Sequence, residues 1–77
     1  MVIKVLGPGC AKCNKTLELI QTLVEETGAA AEVEKVTDMM AIAGFGVFET
    51  PSVVVDGQVK IKGKVPSKKE VLAWLGR

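Results

Sequence analysis

Val2-Ile3-Lys4-Val5-Leu6 is an apolar, β-rich run broken by one charge and stopped by Gly7-Pro8-Gly9. It predicts a strand over 2–6 that is buried on both faces, with Lys4 as the exception. From Ala11 to about Thr27 the period changes. Ala11, Cys13, Leu17, Ile20, Leu23, Val24 and Thr27 recur at spacings of three and four, opposite Asn14, Lys15, Glu18, Gln21, Glu25 and Glu26, with Leu19 at the boundary. This is an amphipathic helix, and Gly28 supplies its C-terminal cap. Glu32-Val33-Glu34-Lys35-Val36 alternates loosely and predicts a half-exposed second strand. Strand, helix and strand in succession make a βαβ unit with parallel strands and a right-handed crossover.

The second half carries shorter elements. Thr37 or Asp38 can cap a helix from Met39 to about Phe45, limited by Gly44 and Gly46. Val53-Val54-Val55 predicts a buried strand, with Pro51 just before it. Asp56-Gly57 is a two-residue hairpin signal, and Gln58 to Lys62 alternates as an edge strand should. Gly63 ends that strand. Ser67 and Glu70 form a capping box for a last helix, whose apolar face is Val71, Leu72, Trp74 and Leu75. The order βαβ-α-ββ-α predicts an α/β fold: a four-stranded mixed sheet, first and third strands central, helices on both faces. No linker or repeat interrupts it, so residues 1–77 are expected to form a single domain. Phe45, Phe48, Trp74, Met39 and Met40 are expected in the core.

Composition narrows the function. The chain has 77 residues, 48% of them apolar and 25% charged, which is globular and enough for a small core. A net charge of +1 gives no field to recruit nucleic acid or a membrane. No run approaches the roughly 18 apolar residues of a membrane span, and the N-terminus has no signal-peptide pattern, so a cytoplasmic location is expected. There is no histidine, which removes imidazole catalysis and every zinc site that needs it. Lys60, Lys62, Lys64, Lys68 and Lys69 are read as a solvated surface.

The remaining chemistry lies in Cys10-Ala11-Lys12-Cys13, which holds the molecule's two cysteines. Cys10 falls at the start of the helix, before unpaired backbone N–H groups and the positive end of the helix dipole. Both favour a thiolate over the thiol, whose free pKa is about 8.5. Lys12 and Lys15 add positive charge within a turn. Cys13 lies on the apolar stripe, where a resolving thiol belongs. The pair can exchange disulfides, with Cys10 as nucleophile and Cys13 as resolver, or hold a soft metal such as Cu(I) or Zn(II), or be inert. Met39 and Met40 are read as core residues rather than as thioether ligands.

Four features together resemble the thioredoxin superfamily, and most specifically the minimal, glutaredoxin-sized thioredoxin-like proteins of bacteria and archaea. They are the Cys10–Cys13 motif between strand and helix, the βαβ-α-ββ-α order, Thr50-Pro51 before the third strand, and Gly63 after the fourth. The resemblance covers the whole chain. It implies a thioredoxin-like fold and a protein-disulfide oxidoreductase that needs no cofactor or metal. It also implies a cis bond before Pro51, with Thr50 and Pro51 beside the dithiol to receive an extended segment of a substrate. The implied partners are disulfide-containing proteins and a reductase or dithiol donor, acting on a monomer. The chain departs from the common Trp-Cys-Gly-Pro-Cys pattern, and its first strand carries no acid. It also lacks the Gly-Gly-Asp-like segment with which glutaredoxins hold glutathione.

Two other classes compete. A soft-metal binding module would use the same thiolates. Small copper chaperones, however, place a Met where this chain has Pro8, and they end on a strand. A redox-inert adaptor would use the scaffold alone, and the intact dithiol argues against it.

Overall fold

The computed structural model describes residues 1–77 and places every element where the pattern predicts one. In order they are β1 (Val2–Leu6), α1 (Ala11–Thr27), β2 (Glu32–Val36), α2 (Met39–Gly44), β3 (Ser52–Val55), β4 (Gln58–Ile61) and α3 (Lys68–Trp74). The sheet order is β2-β1-β3-β4, parallel between β1 and β2 and antiparallel elsewhere.

Local signals set the boundaries. Gly28 adopts φ 67° and ends α1 as a left-handed cap. Asp38 caps α2 through its side chain. Ser67 and Glu70 form the reciprocal capping box of α3. The Glu70 carboxyl is held below its ordinary range, chiefly by the hydrogen bond it accepts from the Ser67 backbone N–H. Asp56 and Gly57 both take positive φ, 47° and 82°, as a two-residue hairpin matched to strand twist requires.

The strands alternate between two cores. Ile3 and Val5 of β1, with Val53 and Val55 of β3, face Ile20 and Leu23 of α1 and Val71 of α3, together with Leu75. On the opposite face Leu6 and Val54 pack with Ile42 of α2 and Val47. The central strands are therefore apolar on both sides because helices cover both sides.

Three expectations are corrected. Phe48 is 87% exposed, and Met39 and Met40 are 59% and 81% exposed, so none of them is core. A six-residue helix makes under two turns, and Ile42 alone occupies its buried face. Val47 takes the inward position before β3, which leaves Phe48 outward. Phe45 and Trp74 pack only at the margins of the two cores. Ala11 is exposed, and the buried stripe of α1 runs through Cys13, Thr16, Ile20 and Leu23. Finally, β4 does not present one apolar face. A bulge shifts its register so that Val53 pairs with Ile61 and Val54 with Val59. Ile61 joins the first core and Val59 packs on the second, because the extra residue re-aims the chain.

Candidate functional site

Parallel β1 and β2 end at one edge of the sheet, where Leu6 pairs with Val36, and antiparallel β3 begins there, where Leu6 pairs with Ser52. The turn before α1, the start of α2 and the segment before β3 therefore share this end. The pattern places a dithiol here, and the topology adds Thr50-Pro51.

Gly9, at φ 98°, turns the chain so that Cys10 becomes the N-cap of α1. Its sulfur accepts a hydrogen bond from the Cys13 backbone N–H at 3.3 Å, and its carbonyl accepts from Asn14 N–H at 3.0 Å. The first contact sets the Cys10 sulfur against the N-terminus of α1, where the helix leaves its N–H groups without backbone partners. The two Cα atoms lie 5.1 Å apart, within the range a disulfide spans, and the sulfurs are at bonding distance. Cys10 is exposed and Cys13 is 3% exposed. The pair is thus asymmetric: its first residue is exposed to solvent and its second is buried.

Gly7 has a role that its turn-forming character did not suggest. It is buried, and a Cβ built on it would overlap the Cys13 sulfur and lie 3.8 Å from Thr50 Cβ. The dithiol and the segment before β3 therefore meet across bare backbone at Gly7. Thr50 is half-buried and Pro51 buried, and the bond between them is cis.

Thr16, which the sequence pattern does not single out, lies fully buried one turn after Cys13, and its hydroxyl donates to the Lys12 carbonyl at 2.9 Å. That bond lets a polar residue sit on the apolar stripe. The available signal was its three-residue spacing from Cys13. Thr16 and Ser52 are the buried polar residues, so no buried acid accompanies the dithiol. Lys12 and Lys15 are exposed on the first turns of α1.

No group of three or more Cys, His, Asp or Glu side chains gathers as a metal site. No helix is long and apolar enough to cross a membrane. A cleft of about 410 Å³ opens elsewhere, lined by Val2, Lys4, Phe45, Val54, Asp56 and Gly57. It lies toward the start of β1, at the opposite end of the sheet from the dithiol. Exchange at an exposed sulfur requires no cavity.

Comparison with known proteins agrees with this geometry. Residues 1–76 match a family model described as a thioredoxin domain. A thioredoxin of Methanocaldococcus jannaschii is 46% identical over 71 residues, covering 92% of this chain and 81% of that one. A thioredoxin of Methanothermobacter thermautotrophicus is 39% identical over 71 residues, covering 92% of each chain.

Proposed function

The chain belongs to the thioredoxin-domain family, and from that premise we propose that it is a dithiol reductase of polypeptide disulfides, with Cys10 as nucleophile and Cys13 as resolver. The thiol–disulfide oxidoreductase class follows from the family and from the two cysteines at disulfide distance. The observation that supports the assignment of roles is the asymmetry of the pair: an exposed Cys10 at a helix N-terminus, and a buried Cys13 one turn on.

In the reaction the Cys10 thiolate attacks one sulfur of a substrate disulfide. A Cys10–substrate bond forms as the substrate's own bond breaks, and the other substrate sulfur leaves as a thiolate. Cys13 then loses its proton to solvent and attacks the Cys10 sulfur. The Cys10–Cys13 bond forms and the second substrate thiolate departs. Two electrons have passed from the dithiol to the substrate. A reductase or a dithiol donor restores the starting state. Thr50 and Pro51 line the approach, where their backbone can pair with an extended substrate segment.

Phe48, Met39 and Met40 support a polypeptide as the substrate. They are exposed apolar side chains on segments that leave the dithiol end of the sheet. Exposed large apolar groups at the end of the sheet that carries the dithiol fit a protein partner. Phe48→Ala is expected to raise KM for insulin disulfides roughly tenfold while leaving turnover of bis(hydroxyethyl) disulfide unchanged. Equal effects on both substrates would remove Phe48 from the docking surface.

The direct test of the reading is an anaerobic titration of metal-free protein in thiol–disulfide buffers, with free thiols counted by alkylation and mass. A reversible two-electron transition of one intramolecular bond is expected. A pair that closes only between molecules contradicts the proposed cycle.

A further inference from the structure

Ser52 is fully buried at the first position of β3, and its hydroxyl makes two bonds that lead out of the strand. It donates to the Glu49 carbonyl at 2.6 Å and accepts from the Gly63 N–H at 3.4 Å. The first bond closes residues 49–52, which carry Thr50 and Pro51, into a turn. The second ties that turn to the chain leaving β4. Gly63 stands at φ 70°, and a Cβ built there would overlap the Glu49 carboxylate and lie 3.1 Å from Glu49 Cβ. Two independent contacts therefore join Gly63 to the same turn, one through a hydroxyl and one through close approach. On its other side the turn lies beside the dithiol, because the point where a Cβ on Gly7 would sit is 3.8 Å from Thr50 Cβ and overlaps the Cys13 sulfur.

From this chain of contacts we propose that Ser52 and Gly63 are positioning residues: they clamp the Thr50-Pro51 turn at a set distance from the dithiol, and so determine how well a polypeptide disulfide is received. The inference rests on the oxidoreductase reading above, and deepens it. A buried hydroxyl with two backbone partners holds them in place, and removing it leaves the Glu49 carbonyl and the Gly63 N–H without that partner. The sulfurs themselves are held by α1 and Gly7, so a loosened turn leaves their chemistry intact. A small disulfide needs only the sulfurs. An extended polypeptide also needs the turn.

The test is Ser52→Ala, assayed with dithiothreitol as electron donor on insulin and on bis(hydroxyethyl) disulfide, with amide hydrogen exchange of Gly63 followed in parallel. The expected result is a KM for insulin raised about five- to tenfold, an unchanged rate with the small disulfide, and faster exchange at Gly63. Unchanged insulin kinetics, or parallel loss with both substrates, overturns the proposal. If Ser52→Ala does not fold, Gly63→Ala displaces Glu49 from the other side and must give the same selective loss; a parallel loss again overturns it. A wild-type protein that reduces neither substrate defeats the oxidoreductase reading instead. The clamp is then still judged by the Gly63 amide, whose exchange must accelerate in Ser52→Ala.

Discussion

Cys10→Ser is expected to abolish disulfide reduction, lowering the rate at least about a thousandfold, and Cys13→Ser to leave the protein covalently attached to its substrates. A serine hydroxyl at position 10 stays protonated at neutral pH and cannot form the mixed disulfide. The contact from the Cys13 N–H and the helix N-terminus act on a charge that serine does not develop. Loss of Cys13 has a different consequence, because the first attack needs only Cys10. The mixed disulfide then has no internal nucleophile at hand, and it persists until an external thiol arrives. Cys13 is 3% exposed, so it is poorly placed to begin the reaction in place of Cys10. Insulin reduction measures the first variant. Mass spectrometry of the second, after incubation with an oxidised peptide, should show an adduct of one peptide chain. Full turnover by Cys10→Ser, or an adduct on Cys13 in that variant, would falsify the assignment of roles.

Gly7→Ala is expected to be the most damaging conservative change outside the cysteines. The new methyl group would occupy the place of the Cys13 sulfur and approach Cys13 Cβ to 3.0 Å. Neither group can yield cheaply. Gly7 is tied to β2 by its N–H bond to the Val36 carbonyl at 2.9 Å, and Cys13 is packed on the buried stripe of α1. Overpacking of this kind costs about 1–3 kcal/mol. The penalty falls most heavily on the oxidised form, where the sulfur is bonded to Cys10, since a free thiol can turn about χ1. The variant should therefore melt at lower temperature when oxidised and be reduced more readily, its potential raised by up to about 60 mV. Thermal melts of both redox forms and a glutathione titration measure these effects. A Gly7→Ala protein that matches the wild type in both would show that the Cys13 sulfur moves without cost.

The elements of this fold were legible in the chain because their signals act over a few residues. The strand-to-helix change at Gly7-Pro8-Gly9, the Gly28 cap, the Asp56-Gly57 turn and the Ser67–Glu70 box each act within about one turn of chain. Their positions alone give the element order, and the order gives the central strands. The dithiol was legible for the same reason: its position at a strand–helix junction is a local property.

What lay beyond the pattern depended on residues distant along the chain. Residue type alone assigned Met39, Met40 and Phe48 to the core, but Ile42 and Val47 fill the available space beneath α2. Alternation predicted one face for Val59 and Ile61, and a bulge against β3 divided them between two cores. Gly7 reads as a turn residue until α1 and Thr50 close on it, and Ser52 reads as an ordinary strand start until Gly63 arrives beside its hydroxyl. Hydrogen-bonded caps and turns are decided by neighbours in sequence, whereas burial, close approach and the partners of a buried hydroxyl are decided by which segments the sheet brings together. The elements and the reactive pair therefore belong to the sequence, and the setting of that pair among Gly7, Thr50, Ser52 and Gly63 belongs to the tertiary structure.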